Sequence, residues 1–399
     1  MSQNLRKIIF VIQIIFLSPI ILFIIVIWPI LRIKIGEIKS RAFGSIVLTP
    51  EVYLIEKKFG LYKKNDIFLW YHQKNVANKY LLDKRKKDLI FLPGIILYPI
   101  KLFFSKFRFT HKHLYYKFFF NEKIKKFSCI SDKCRTNQEL LKKSDPFVKF
   151  SQEEIEKGNK YLEKYLINKD DNVVLFGSRS GIYKDEKLIS IRNSNITKQI
   201  NAIKFVTDNG YKAIRVGRDR VNKINIDSKN FFDYTFSGDQ SDFLDIFIAS
   251  KAKFMVCGTT GLMSLGTLMR FPNLMIDFCK FGDLCGQNET YNPILVPKKI
   301  FSKNLKRYLT YKEIFEKKIF EVNNVSQIPK NFLLIDNSED EILSATKEMI
   351  QLVDKRSLNL DYEINNQKDF WKIHSKYYKF TKGIIISPSF YKKFNYLFV

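Results

Sequence analysis

The segment KFMVCGTTGLMSLGTLMRFPNLMID, residues 253–277, decides the fold of this chain. The apolar run 254–257 predicts a buried strand, and the glycine turn 258–261 leads into a short helix that ends near Arg270. A second strand is predicted after Pro272. A turn of this kind suits a bound phosphate, because backbone N–H groups are unpaired where a helix begins. It equally suits the close packing of small residues, and both interpretations stay open for the segment alone.

The same strand–loop pattern occurs three times in the second half of the chain. Apolar strands are predicted at residues 173–176, 213–216 and 254–257. Helices are predicted between them, at residues 195–209 and from Ser241 onward. This alternation predicts a doubly wound parallel sheet, in which ligands bind beyond the carboxyl ends of the strands.

Glycine together with arginine or hydroxyl residues follows each of these strands, at the edge where a ligand would bind. Arginine makes bidentate hydrogen bonds to phosphate, and hydroxyl and amide groups complete an anion site. The residues predicted to bind a phosphate-bearing ligand are Arg179, Tyr183, Arg192, Asn193, Arg215, Gly217, Gly258, Thr259, Thr260 and Gly261. Arg218 and Arg220 are interpreted alternatively as solvated surface residues.

Several common motifs are absent from the sequence. No GxxxxGK[ST] loop is present, which excludes a P-loop ATPase, and no GxGxxG follows a strand. No Asp-x-Asp pair is available to hold a divalent metal on a diphosphate, so we expect neither a metal nor a cofactor. Asp239, Asp242 and Asp245 are interpreted as helix-capping or surface residues, although Asp239 could also reach a ribose.

Residues 8–31 form an uncharged apolar stretch near the start of the chain. It is long enough to cross a bilayer as a helix, and no small-residue cleavage site follows it. Two basic residues precede the stretch and four follow it within ten positions. This asymmetry predicts an uncleaved anchor in the inner membrane with the body of the protein in the cytoplasm. Pro19 and Pro29 leave a kinked re-entrant helix as the alternative.

Residues 95–127 mix aromatic and basic side chains. Residues 1–150 carry 29 Lys/Arg and ten acidic residues, so +19 of the net charge of +28 lies beside the apolar segment. The mixture suits anionic lipid headgroups, single-stranded nucleic acid, or an ordinary aromatic core. The neighbouring anchor favours membrane lipids, and no nucleic-acid partner is expected. Five cysteines, none in a zinc-knuckle spacing, indicate reduced thiols in the cytoplasm.

The chain is expected to be α/β throughout, with four parts. We predict a membrane anchor at 1–34, α/β domains at 35–165 and 166–340, and a returning helix and tail at 341–399. Within the second part, two short apolar elements are expected at 46–48 and 53–55, on either side of Thr49-Pro50. A helix is expected from the N-cap Ser151, because Glu154 completes a capping box.

Four segments together resemble a family of bacterial glycosyltransferases associated with surface-polysaccharide synthesis. They are IGEIKSRAFGSIVLTPEVYL (35–54), the run Arg179…Tyr183…Arg192-Asn193, GYKAIRVG (210–217) and SDFLDIFIASKAKFMVCGTTGL (241–262). The resemblance implies two Rossmann-like domains of the GT-B type, the first (35–165) on the acceptor side and the second (166–340) binding a nucleotide-sugar. The ligand of the predicted phosphate-binding residues would then be this donor. The family commonly has Gly-His-Leu where this chain has Gly44-Ser45-Ile46, and histidine or a similar residue where it has Gly177.

The implied function is a membrane-anchored, metal-independent glycosyltransferase that acts on a lipid-linked or cell-surface glycan acceptor. The sequence leaves the catalytic base unknown, with Glu51 and His72 as candidates. The alternative is a catalytically degenerate relative that binds or scaffolds at the membrane, as the residues at Ser45 and Gly177 would allow. A membrane-tethered nucleic-acid binder is a further alternative, which rests on charge alone.

Overall fold

The chain folds into two compact units, Met1–Val148 and Lys149–Val399. The computed structural model describes residues 3–115, 119–121, 126–128, 140–141, 143–181, 188–282, 293–354, 358–378 and 383–399. The helix expected from Ser151 belongs to the second unit, whereas the boundary expected from the sequence is after residue 165.

The first unit contains a parallel sheet with helices between its strands. Its helices are α1 (Gln3–Val26), α2 (Phe43–Lys58), α3 (Lys79–Lys86) and α4 (Gly94–Lys106). Its strands are β1 (Arg32–Ile38), β2 (Asp66–His72), β3 (Ile90–Phe91), β4 (Phe119–Asn121) and β5 (Lys126–Ser128). β1, β2 and β3 lie side by side in that order, and β4 pairs with β5 in antiparallel orientation. The predicted α/β class is therefore confirmed for this unit.

Helix α2 differs from the sequence prediction. The two short elements expected around Thr49-Pro50 form one continuous helix with Pro50 inside it. A proline in a helix interior costs about 3 kcal/mol. The helix buries Ile46, Val47 and Ile55 completely, and each buried aliphatic side chain contributes about 1.5–3 kcal/mol. Tertiary burial therefore outweighs the local penalty, which is why the prediction was wrong here.

Helix α1 packs against the first unit along one of its faces. Leu17, Ile21 and Ile24 are buried in a cluster that includes Ile100 and Phe104 of α4. Of the described residues, Lys7–Val26 form the one helix long and apolar enough to cross a membrane, with a mean hydropathy of 3.0. Length and composition alone support a membrane anchor only weakly.

The second unit contains a larger parallel sheet and a separate, smaller antiparallel sheet. Its strands are β6 (Val173–Gly177), β7 (Lys212–Arg215), β8 (Phe231–Asp233), β9 (Ala252–Cys257), β10 (Asn273–Phe278), β11 (Ile294–Pro297), β12 (Lys299–Ser302), β13 (Arg307–Tyr308), β14 (Phe332–Ile335) and β15 (Ile385–Ile386). Its helices are α5 (Gln152–Glu163), α6 (Ile200–Asp208), α7 (Asp242–Ala249), α8 (Ser264–Met269), α9 (Tyr311–Glu316), α10 (Glu339–Val353), α11 (Leu360–Asn366), α12 (Lys368–Tyr377) and α13 (Pro388–Lys393).

The order of the strands in this sheet is β15-β11-β10-β9-β6-β7-β8, all parallel. From β6 the chain first adds β7 and β8 on one side and then returns to add β9, β10 and β11 on the other. The order therefore reverses between β6 and β9, as in a doubly wound fold. The remaining strands, β12, β13 and β14, form a separate antiparallel sheet.

The strand–turn–helix prediction for residues 254–270 is confirmed. β9 is followed by a 3-10 turn, Gly261–Met263, and by α8, which ends at Arg270 in a left-handed conformation with φ of 65°. Every residue of β6 and β10 is buried, which explains why these strands are continuous apolar runs. The capping box at Ser151 is also confirmed, because its side chain accepts a hydrogen bond from the N–H of Glu154.

Candidate functional site

The reversal between β6 and β9 brings two of the predicted loops to the same edge of the sheet. Gly177, at the end of β6, is paired in register with Cys257, at the end of β9. The loops that begin at residues 178 and 258 therefore start at the same level. Ligands of open α/β sheets bind beyond the carboxyl ends of strands where the strand order reverses.

A third segment, residues 190–195, contacts both of these loops. The Ser194 N–H donates to the carbonyl of Arg179 at 2.9 Å, and the Arg179 N–H donates to Ser194 Oγ at 3.3 Å. A Cβ atom at Gly258 would lie 2.9 Å from Ser194 Oγ, closer than real side chains approach. Glycine at this position thus allows the three segments to converge.

Among the buried polar atoms without a hydrogen-bond partner in the described part of the chain, Thr259 Oγ1 and Asn193 Oδ1 lie in these segments. The Asn193 amide is fixed in orientation, because its Nδ2 donates to the Ser180 carbonyl at 2.7 Å. A buried polar group without a partner costs about 1–3 kcal/mol, and such groups are rare in native proteins. A ligand phosphate oxygen would accept from Thr259 Oγ1, and a ligand hydroxyl would donate to Asn193 Oδ1.

Lys298 is a buried cation near this edge that the sequence analysis did not identify. It follows β11 directly, and its Nζ donates to the Asn193 carbonyl at 2.6 Å and pairs with Asp336. The one sequence signal was a lysine directly after the apolar run ILVP at residues 294–297. A lysine in this position is equally consistent with the exposed start of a loop.

Asp277, near the end of β10, is a second residue that the sequence did not single out. Its side chain is buried, and its backbone has a φ of 49°, which is uncommon for a residue with a side chain. Its carboxylate accepts from the Asn337 N–H at 2.7 Å, and its own N–H donates to Asn337 Oδ1 at 2.6 Å. Burial raises the pKa of Asp277 to about 6, while the charge of Lys298 opposes the shift.

Arg215 occupies a position different from the one expected. Its guanidinium is buried and donates to the carbonyls of Asn222 and Val221, each at 2.7 Å, and to the Asp219 carbonyl at 3.3 Å. A fourth bond joins it to the Asp233 carboxylate at 3.2 Å. Burial lowers the pKa of Arg215, and the Asp233 charge opposes this. These bonds give Arg215 a structural role in closing the loop after β7.

The other residues of the β7 loop also bond mainly to the protein. Gly217 has a φ of 110°, which favours glycine, and its carbonyl accepts from Gln240 Nε2 at 2.7 Å. Arg218 is not the solvated residue considered above, because it forms ion pairs with Asp242 and Asp245 of α7. Their charges raise the pKa of Arg218 despite its partial burial.

The remaining acidic and arginine residues of this region lie nearer to solvent. Arg220 is exposed and donates to Gln240 Oε1 at 3.3 Å, as expected for a surface arginine. Asp239 accepts from the Tyr165 hydroxyl at 3.3 Å.

The remaining predicted donor contacts stay predictions. Arg192 is half-buried, and its N–H donates to Ser190 Oγ at 3.3 Å. Thr260 is extended and precedes the 3-10 turn, in which the Gly261 carbonyl accepts from Ser264 Oγ at 2.6 Å. Tyr183 lies outside the described residues.

Of the two base candidates in the first unit, Glu51 is not available as a free group. Glu51 and Arg85 are both fully buried and form an ion pair with each other. The ring of His72 contacts the backbone carbonyl of Gln73 through Nδ1 at 2.8 Å. Ser45 lies in the first turn of α2. The catalytic base is therefore still unassigned.

No group of three or more His, Cys, Asp or Glu residues in the described ranges is arranged to hold a metal ion. The metal-independent reaction expected from the sequence stays a prediction.

The chain is similar to several solved structures. No protein-family model matches the chain, and no curated protein matches it. The glycosyl transferase family 9 structure from Veillonella parvula matches with a TM-score of 0.44 and 11% identity, covering 80% of this chain and 97% of that one. The Escherichia coli ADP-heptose LPS heptosyltransferase II matches with a TM-score of 0.34 and 11% identity, covering 61% and 84%.

A third similar structure is the dodecameric iron-containing heptosyltransferase TibC in complex with ADP-D-beta-D-heptose. Its TM-score is 0.35 at 12% identity, and the match covers 67% of this chain. The chain spans 63% of the length of that heptosyltransferase. Similarities of this size do not establish membership of a family.

Proposed function

We propose that the protein is a glycosyltransferase whose second unit binds a nucleotide-sugar where the strand order reverses between β6 and β9. The observation that carries the proposal is the convergence of three loops, two of which contribute a buried polar atom without a partner in the described ranges, Thr259 Oγ1 and Asn193 Oδ1. A ligand with both phosphate oxygens and hydroxyl groups meets the needs of both atoms.

The chemistry of the two atoms suggests a role for each. The Thr259 hydroxyl donates to a phosphate oxygen, and Asn193 Oδ1 accepts from a hydroxyl of the sugar or ribose. Arg179 and Arg192 supply positive charge that stabilises the nucleoside diphosphate as it leaves. Tyr183, Gly217, Gly258, Thr260 and Gly261 remain predicted contacts, and Arg215 holds the neighbouring loop in place.

The remaining parts of the proposal extend the resemblance found in the sequence. The two units correspond to the two Rossmann-like domains of a GT-B-type enzyme, with the acceptor on the side of the first unit. The acceptor is a lipid-linked or cell-surface glycan, and the reaction needs no metal. Helix α1 attaches the protein to the lipids of the inner membrane, with the body in the cytoplasm and no nucleic acid as partner.

Nucleotide binding by variants of two arginines tests the donor site. Purified full-length protein is titrated calorimetrically with a panel of nucleoside diphosphates and their sugar esters. Arg179→Ala is expected to weaken the best ligand about 10- to 100-fold, since a hydrogen bond to a charged group contributes about 1.5–3 kcal/mol. Arg220→Ala is the matched control, because it removes an exposed arginine from the same edge, and it should change the dissociation constant less than about twofold.

Two results would contradict the proposed donor site. The first is that no nucleoside diphosphate binds to the wild-type protein. The second is that the two arginine variants lose affinity equally, which would indicate a general effect of charge. A thermal melt of each variant separates a loss of binding from a loss of folding.

A catalytically inactive binding protein is the second candidate, favoured by one observation. Glu51 is fully buried against Arg85, so it is not available as a general base. Incubation of the wild-type protein with its best nucleotide-sugar and a membrane lipid extract separates the two functions. A transferase releases nucleoside diphosphate and labels a lipid-linked product, whereas a binding protein returns the nucleotide-sugar unchanged.

A further inference from the structure

Helix α1 is apolar on two opposite faces, and the structure covers only one of them. Leu17, Ile21 and Ile24 face the first unit and are buried. The opposite face carries large apolar side chains that are exposed, and Phe16, at 85%, is the most exposed of them. The other members of this face are Ile8, Ile12, Ile15, Phe23 and Val26. A helix that is apolar all round is normally covered on all sides.

Helix α4 and the residues after it extend this exposed apolar surface. Ile95, Tyr98, Phe107 and Phe109 are exposed, and the rings of Phe107 and Phe109 lie 6.0 Å apart. The end of α4 contacts the N-terminal half of α1, because Lys106 Nζ lies 4.4 Å from the ring centre of Phe10. We call α1, α4 and residues 107–109 the α1–α4 surface.

Exposed cations flank the α1–α4 surface at both ends of α1. Lys106 and Arg108 are exposed beside its N-terminal half. Near its C-terminal end, the exposed Lys112 has its Nζ 4.9 Å from the ring centre of Trp28, whereas Arg32 on the same ring is half-buried and pairs with Asp66. Aromatic and basic side chains in this arrangement suit the boundary between acyl chains and anionic headgroups.

We propose that the α1–α4 surface lies in the plane of one leaflet of an anionic bilayer, so that α1 does not cross the membrane. The apolar part of α1 that precedes its first buried position, residues 8–16 after Arg6 and Lys7, would span about 14 Å as a helix. The hydrocarbon core of a bilayer is about 30 Å thick. A crossing helix would therefore pull α4 and its neighbours into the core. This inference rests on the membrane attachment in the proposed function, but not on the transferase reaction.

A second copy of the chain suits this surface less well than a bilayer does. Residues 101–115 contain no acidic residue, so their charged side chains are all basic or histidine. Two copies packed through the α1–α4 surface would bring like charges together. Anionic headgroups neutralise the same charges.

The side of the membrane on which the N-terminus lies distinguishes an in-plane helix from a crossing one. Asn4→Cys places a thiol at the exposed start of α1, and Lys160→Cys places one on the exposed face of α5 as a marker for the body. Bacterial spheroplasts that express either full-length variant are treated with a membrane-impermeant maleimide, with the wild-type chain as background. We expect both thiols to react only after lysis. Reaction at position 4 in intact spheroplasts would overturn the in-plane arrangement while leaving membrane attachment in place.

Vesicle binding tests the contribution of the residues outside α1. Full-length protein is floated with vesicles of phosphatidylethanolamine and phosphatidylglycerol, or of phosphatidylcholine alone. Lys106→Glu with Arg108→Glu should weaken binding to the anionic vesicles at least about 30-fold. Phe107→Ala with Phe109→Ala should weaken binding to both kinds about tenfold. The charge-matched control, Lys160→Glu with Lys164→Glu on the exposed side of the second unit, should have no effect.

Each contrary result has a separate meaning. Unchanged binding by both pairs of variants would show that α1 alone attaches the protein, which overturns the α1–α4 surface. Stable dimers in mild detergent that dissociate in the Phe107→Ala, Phe109→Ala variant would assign the surface to a second copy. Failure of the wild-type protein to bind any vesicle would overturn the membrane attachment itself, whereas nucleotide binding judges the donor site independently.

Discussion

The loop after β7 and the loops after β6 and β9 lie at the same edge of one sheet and have similar compositions. In sequence, each combines glycine with arginine or hydroxyl residues, and each was a reasonable candidate for binding phosphate. In the structure their hydrogen bonding differs. The β7 loop uses the Arg215 guanidinium to bind three of its own carbonyls and Asp233.

By contrast, the loops that meet beyond β6 and β9 contain buried polar atoms without hydrogen-bond partners. Thr259 Oγ1 and Asn193 Oδ1 are buried without partners in the described ranges. The difference shows that residue types at a sheet edge do not separate a loop that pairs its own polar groups from one that leaves buried polar groups unpaired. The separation requires knowing which buried donors and acceptors are already paired.

Removal of the Arg215 side chain should have the largest effect on stability. Arg215→Ala leaves the Asp233 carboxylate, whose side chain is 11% exposed, without its cation, and breaking a largely buried ion pair in this way costs about 3–5 kcal/mol. Hydrogen exchange of peptides from β6, β7 and β9 would measure the loss as faster exchange throughout the second unit. The nucleotide affinity of the molecules that remain folded should be unchanged.

The matched comparison for that variant is Arg220→Ala, in the same loop. Arg220 is exposed, so its removal should alter the free energy of unfolding by less than about 0.5 kcal/mol. If Arg215→Ala instead folds normally and fails to bind nucleotide, then Arg215 belongs to the binding site and the contrast between the loops is lost.

The parts of the fold that the sequence predicted correctly depend on local patterns. The apolar run before Gly258 and the turn after it carry the signal for β9 and α8 within a few residues. The capping box at Ser151 is equally local. The alternation of such elements was enough to predict the doubly wound sheet and hence the edge where its loops meet.

The parts that the sequence did not reveal depend on distant partners. The role of Arg215 is set by Asp233 and by the conformation of the intervening loop, and Asp277 is bonded to Asn337, 60 positions away. Lys298 contacts the Asn193 carbonyl across 105 positions. No spacing rule relates residues this far apart, so their roles become visible only when the sheet is assembled.

The pKa of Asp277, at the same edge of the sheet, predicts a measurable dependence of stability on pH. Folding favours the protonated form of Asp277, because its pKa is about 6 in the folded state and near 4 when unfolded. Between these values the folded state binds more protons, so this contribution to stability decreases as the pH rises. Asp277→Asn lacks the titration, and its free energy of unfolding relative to wild type should rise by about 1.4 kcal/mol per pH unit from pH 4 to 6.

Urea unfolding of both proteins at several pH values would measure this difference. The two proteins share every other titrating group, so the comparison isolates Asp277. Stability curves that run parallel from pH 4 to pH 7 would contradict the raised pKa and would mean that Lys298 compensates the carboxylate fully.

The smallest expected changes in stability and affinity concern single hydroxyl groups. They test most directly whether a loop pairs its own polar groups or leaves them for a ligand. Thr259→Val keeps the shape of a side chain whose hydroxyl lacks a partner, so the unliganded protein should be equally stable or gain about 1 kcal/mol. Its nucleotide affinity should fall about fivefold, because the ligand loses a hydrogen bond of about 1 kcal/mol. Thermal unfolding and calorimetric titration measure the two quantities on the same sample.

Ser264→Ala supplies the opposite case a few residues further along the chain. Its hydroxyl donates to the Gly261 carbonyl at 2.6 Å, so removal should lower stability by about 1 kcal/mol and leave nucleotide affinity unchanged. The two variants should therefore change stability in opposite directions, and only Thr259→Val should change nucleotide affinity. If Thr259→Val loses stability and keeps its affinity, the Thr259 hydroxyl serves the fold in the same way as that of Ser264. The argument for a ligand at this edge would then rest on Asn193 alone.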